Sequence, residues 1–119
     1  MKVVQMSKAP KELFVSPLFT GAGVTRQDIA PDSKEYVVNV VKFNRGVRNK
    51  FHTHDSEQLL IVTEGTGIVA TEREKKVVTA GDVVFIPRGE KHWHGATDDS
   101  DFSHIFILRQ ESKLTQLED

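Results

Sequence analysis

No helical period is sustained along this chain before its polar end. Short runs of β-branched and aromatic residues recur instead between turn signals. Tyr36-Val37-Val38-Asn39-Val40-Val41-Lys42-Phe43 reads as a buried strand, and Asn44-Arg45-Gly46 as the turn that ends it. Gln58 to Thr63 is the next strong strand, closed by Gly65-Thr66-Gly67. Ile68 to Glu72, Lys76 to Thr79 and Asp82 to Ile86 follow, broken at Arg73-Glu74-Lys75, Ala80-Gly81 and Pro87-Arg88-Gly89. Ser103 to Leu108 is the last strand. Upstream of Tyr36, Phe14-Val15 and Leu18-Phe19-Thr20 look like short strand pieces among scattered prolines and glycines. The tail, Glu111 to Asp119, is expected as a short helix or a frayed end. This spacing of strands and turns predicts an all-β sandwich or barrel.

Composition narrows the function classes. At 119 residues the chain holds one core. The formal net charge is −1 and the basic residues are dispersed, so nucleic acid is not an expected partner. Cysteine is absent, which excludes disulfides, thiolate zinc sites, iron–sulfur clusters and thiol nucleophiles. The first residues carry no apolar run long enough for a signal peptide, and no stretch approaches the ~18 apolar residues of a membrane span. A cytoplasmic protein is the expectation.

The candidate chemistry lies in the histidines. All 5 fall in or near two short stretches, Phe51-His52-Thr53-His54 and Lys91-His92-Trp93-His94, with His104 further on. His52 and His54 are two apart, so a strand places both rings on one face. His92 arrives from a second strand after a Pro-x-Gly turn. Neutral imidazole is the commonest protein metal ligand. Gln58 shares the parity of His52 and His54 if the strand runs on through Asp55 to Glu57. Glu57 is the better ligand type for a hard cation but faces the other way. Geometry favours Gln58 over Glu57, and a loop or bulge at Asp55-Ser56 would overturn that preference. Trp93 is expected to pack on the opposite face, and Arg45, Arg48 and Lys50 to form a solvated strand edge.

Gly46, His52, His54, Gln58 and Gly65 together resemble the first cupin motif. Gly81, Pro87, Gly89 and His92 resemble the second. The resemblance implies a double-stranded β-helix, or jelly-roll barrel, that binds one divalent metal through His52, His54, Gln58 and His92. Two positions depart from the family pattern: Gln58 stands where cupins carry Glu, and Ala96 where they carry Asn. Gln58, His94 and His104 resemble a narrower group, the small manganese cupins with hydroxynitrile lyase activity and their uncharacterised bacterial relatives. By that resemblance His94 and His104 are catalytic. Manganese is the expected metal, with iron, nickel, cobalt or zinc as alternatives. Residues 1–35 would form N-terminal strands that embrace a second copy in a homodimer, 36–110 the barrel, and 111–119 a polar tail.

Three functions compete. The first is a lyase acting on a small molecule, with the metal as Lewis acid and His94 as the expected proton carrier. The second is a metal-dependent dioxygenase or other oxidoreductase. The third is a non-enzymatic binder of a metal or small molecule.

Overall fold

The computed structural model describes residues 1–119. Ten strands account for nearly all regular structure: β1 (Glu12–Leu13), β2 (Thr25–Asp28), β3 (Tyr36–Phe43), β4 (His52–His54), β5 (Gln58–Thr71), β6 (Lys75–Thr79), β7 (Val83–Ile86), β8 (His92–Ala96), β9 (Phe102–Arg109) and β10 (Leu114–Gln116). One 3₁₀ turn, Met6–Lys8, precedes them. No helix is long and apolar enough to cross a membrane. All the pairings are antiparallel, and the sheet curls on itself, so the all-β barrel expected from the sequence is the fold observed.

The 14-residue strand β5 organises the molecule. Its first half lies between β9 and β7, and its second half between β8 and β6. One strand therefore belongs to both walls of the barrel. The first wall continues from β9 through β3 and β2 to β1, and the second from β8 through β4 to β10. The bend between them falls at a register shift between Val62 and Glu64. The sequence predicts a chain break at Gly65-Thr66-Gly67, and that expectation is corrected here. The glycines sit inside the strand, where the bulge lets β5 turn the corner. Gly65 has φ +72°, and a Cβ there would lie 1.8 Å from the Asp101 carbonyl oxygen.

Alternation sets the core. On β3, Asn39, Val41 and Phe43 are buried, and on β5 so are Gln58, Leu60 and Val62. Val24, Val41, Phe43, Val62, Val78, Ala96 and Phe102 form the apolar cluster between the walls. The outward residues of the first wall include Leu59, Val83 and Phe85, all exposed. Phe14 and Phe19 are not in strands, apart from an isolated bridge of Phe19 to Asn49. They pack against the core of their own barrel instead.

The C-terminal segment is the second correction. It is neither helix nor frayed end: β10 pairs along the whole of β4, with Leu114, Thr115 and Gln116 opposite His54, Thr53 and His52. Both flanks are clamped. The Asp55 carboxylate accepts from the Lys113 amide at 2.8 Å and the Ser112 hydroxyl at 3.3 Å. Beyond β10, Glu118 accepts from the Phe51 amide at 2.8 Å and from both terminal nitrogens of Arg48, at 3.3 and 2.9 Å. Arg48 is thus held by Glu118 and lies 4.5 Å over the Trp93 ring, rather than forming part of a solvated edge.

The bend in β5 yields a stability test. Gly81 also has a positive φ, +95°, but no atom lies within 4 Å of where its Cβ would be. Gly81→Ala is expected to cost about 1–2 kcal/mol from backbone strain alone. Gly65→Ala adds a backbone collision and is expected to cost at least about 2 kcal/mol more. Chemical denaturation of the two variants checks the difference, and equal losses would contradict this account of the bend.

Candidate metal centre

Three strand ends deliver the ligands. β4 contributes His52 and His54, which lie on one face and are both buried. β8 begins at His92, directly opposite His52 in the ladder. Each of the three rings offers a nitrogen lying within 4.8 Å of the others. Two of the rings are oriented by the chain just behind them. His52 Nδ1 donates to the Lys50 carbonyl at 2.6 Å, and His92 Nδ1 to the Glu90 carbonyl at 2.8 Å. In both cases Nε2 is left free for an ion, the usual arrangement for a metal-binding imidazole.

Gln58 opens β5 and is buried, whereas Glu57 is exposed. The chain does not run as one strand from His54 to Gln58, because Asp55 and Ser56 form a bend. The continuous strand that the parity of Gln58 requires is therefore absent, yet Gln58 lines the same cavity as His52 and His54. Its Oε1 is buried and has no hydrogen-bond partner, and the same holds for His54 Nδ1 and His92 Nε2. Unpaired buried acceptors cost stability unless something fills the site. A divalent cation fits the three neutral imidazoles, whose nitrogens converge in one buried place, and Gln58 brings an unpaired amide oxygen to the cavity that His52 and His54 line.

His94 and His104 sit beside this cluster. Both are buried, with ring centroids 4.8 Å apart. His94 Nδ1 and both nitrogens of His104 have no partner. The cavity these residues share has a volume of about 190 Å³ and is mainly apolar, with Phe14, Phe19, Phe43, Phe106 and Leu114 in its wall.

Burial governs the electrostatics. Removal from water pushes His52 down to about 3, with the neighbouring His92 adding to the effect and the Lys50 carbonyl opposing it. His54 is pushed down to about 4 by burial and then by His92. Burial lowers His92, and the Glu90 carbonyl opposes it. His94 is held well below the usual imidazole range, first by burial and then by His104. His104 falls to about 4, again through burial. Every imidazole in the barrel is therefore neutral near pH 7, the form that binds metal.

The sequence profile of the cupin domain matches residues 39–108, more than half of the chain. The chain belongs to the cupin family. Among solved structures, a cupin-like protein of Thermotoga maritima superposes with a TM-score of 0.82 at 33% identity. That match covers 90% of this cupin and 84% of that one. The (R)-mandelonitrile lyase of Granulicella tundricola is 40% identical over 79 residues, 66% of this chain and 60% of the lyase. The acireductone dioxygenase of Frankia alni is 28% identical over 64 residues, 50% of this chain and 31% of the dioxygenase. The matches thus span less than two thirds of either enzyme's length. The cupin barrel holds a possible three-histidine metal site, and its relatives include a lyase and a dioxygenase.

One functional candidate escaped the sequence reading. Asn49 is buried, and its side chain lies against His94. It stands in a polar stretch, Arg48-Asn49-Lys50, where nothing in composition or period sets it apart.

The depressed imidazoles predict an acid limb of stability. Unfolded histidines protonate near pH 6.5, but the buried ones stay neutral down to about 4 (His54, His104) or about 3 (His52). Between those limits the unfolded chain binds more protons, so stability is intact above about pH 6.5 and is lost as pH falls. Each neutral histidine contributes a slope of about 1.4 kcal/mol per pH unit. Denaturant unfolding of metal-free protein from pH 7 to pH 4.5 checks this, and a flat profile would contradict it.

Proposed function

We propose that this cupin is a metal-dependent lyase acting on a small molecule, of the type that cleaves a cyanohydrin into a carbonyl compound and hydrogen cyanide. The observation that carries the reading is the His94–His104 pair, buried and largely unpartnered beside a neutral set of metal ligands. A passive binder has no need of two desolvated imidazoles with unpartnered ring nitrogens. Similarity to a mandelonitrile lyase supports the same choice.

His52, His54, Gln58 and His92 would hold the metal, manganese in this reading. Such an ion supplies Lewis acidity, and ligands without negative charge leave that acidity undiminished. The apolar wall receives the hydrocarbon part of the substrate, and Phe14 and Phe106 bound the space it can occupy. The proton that leaves the hydroxyl reaches the departing cyanide by way of the His94–His104 pair. The homodimer expected from the sequence belongs to the same proposal. Residues 1–35 remain its expected arm, and the exposed Leu13 and Val15 there offer apolar surface to a second copy, as do Leu59, Val83 and Phe85 on the first wall.

The ligand set is tested by metal content. His54→Ala is expected to lose the one equivalent of transition metal that wild type holds, measured by elemental analysis. Gln58→Glu adds a negative charge to the site and is expected to tighten binding in a metal titration. Unchanged affinity would remove Gln58 from the set and return Glu57 to it.

The reaction is tested without air. Manganese-loaded protein is expected to cleave mandelonitrile under strict anaerobiosis. His94→Ala is expected to keep its metal and lose roughly 10²-fold or more of the rate. Inactivity without oxygen, with oxygen consumed on a diketone or catechol-like substrate, would replace the lyase with a dioxygenase. The similarity to acireductone dioxygenase makes that the reading to exclude.

A further inference from the structure

Asn49 grips His94 at three points. The Asn49 amide donates to the His94 carbonyl at 2.9 Å. The His94 amide donates to Asn49 Oδ1, also at 2.9 Å. Asn49 Nδ2 then lies 3.3 Å from His94 Nε2. This close contact depends on Gly95. A Cβ at that position would stand 2.3 Å from Arg48 Cα, so a larger residue would push the chain before Asn49 away from β8.

The second hydrogen bond fixes the orientation of the side chain. Of the two amide atoms only the oxygen can accept from a backbone N–H, so Oδ1 must face the His94 amide and Nδ2 must face the ring. An amide nitrogen is a donor only. Nε2 of His94 is therefore the acceptor and carries no proton. The proton of the neutral ring sits on Nδ1. A doubly protonated ring would set N–H against N–H, so the contact also opposes the imidazolium. Nδ1 is buried and has no partner. An N–H donor left unpaired there is unfavourable and is satisfied only when something enters the cavity.

We propose that Asn49 is a positioning residue that locks His94 as its Nδ1–H tautomer, so that His94 acts as a fixed hydrogen-bond donor and His104 carries the proton. The division of labour rests on the lyase reading; the tautomer does not. The chemistry balances in this arrangement. His104, with both ring nitrogens unpartnered, takes the hydroxyl proton. The O–H electron pair becomes the second bond of the carbonyl, and the C–C pair leaves with cyanide. Protonated His104 then returns its proton to cyanide, which departs as hydrogen cyanide. His94 Nδ1–H steadies the negative charge that develops meanwhile, and losing no proton, it never has to become an imidazolate.

The tautomer is read by long-range ¹H–¹⁵N correlation on the full chain with ¹⁵N-labelled histidine, near pH 8 and free of paramagnetic metal. Resonances are assigned by their loss in His94→Ala. Wild type is expected to show protonated Nδ1 and bare Nε2. In Asn49→Asp both side-chain oxygens accept, so the ring is expected to switch to Nε2–H. Mandelonitrile cleavage by the manganese-loaded variant is then expected to fall roughly 10²-fold in kcat, with metal content and KM retained. Protonated Nε2 in wild type would overturn the proposal, and that spectrum decides the matter even if the variant does not fold. An unchanged tautomer in a folded Asn49→Asp would also overturn it. A switched tautomer with unchanged kcat would overturn the donor role. A wild type that shows Nδ1–H but cleaves no cyanohydrin supports the tautomer and overturns the lyase reading.

Discussion

Desolvation of imidazole is the constraint on which this barrel depends. Five histidines are buried within one small fold, with His52, His54 and His92 grouped and His94 and His104 beside them. Such crowding is tolerable only while the rings are uncharged, because charged neighbours in a dry interior repel one another strongly. Neutrality then gives each ring one donor and one acceptor, and for three of the rings a neighbouring group settles which is which. The Lys50 and Glu90 carbonyls take the Nδ1 protons of His52 and His92, and the Asn49 amide faces Nε2 of His94. Three of the five tautomers, those of His52, His92 and His94, are thus assigned by their supports.

Those supports are short, and their rigidity is borrowed. β4 has only 3 residues and meets β8 at a single pair, His52 with His92. Alone it would be a weak edge. β10 supplies a full ladder along its other side, and Asp55 and Glu118 pin the two ends of that ladder. β5 does the same for Gln58, which begins a strand held by β7 and β9 at once. The metal-site candidates are strand residues whose backbones are fixed by partners distant in sequence.

Much of this was legible beforehand, for a physical reason. Strands buried on one face carry their period in the residues themselves, so β3, the first half of β5 and β9 could be read from Tyr36–Phe43, Gln58–Thr63 and Ser103–Leu108. The spacing of His52, His54 and His92 pointed to a shared site by the same logic. What failed to show were features held by backbone rather than side chain. β10 is short and exposed, and its ladder to β4 leaves no periodic trace. Gly65 and Gly67 read as a break because glycine marks bends and chain reversals equally well, and here the bend lies inside one strand. Gln58 reached the cavity although the strand assumed for it is interrupted at Asp55 and Ser56. Asn49 matters through a contact with a residue far along the chain, and local sequence cannot reveal that.

The bracing of β4 by β10 also has a consequence in time. The histidines it steadies are made before Leu114, Thr115, Gln116 and the Glu118 carboxylate that brace them. A ribosome-bound chain that has already exposed both cupin motifs still has an open-edged β4. β4 gains its second neighbour only once those later residues are available, so the cavity is complete only after β10 has docked.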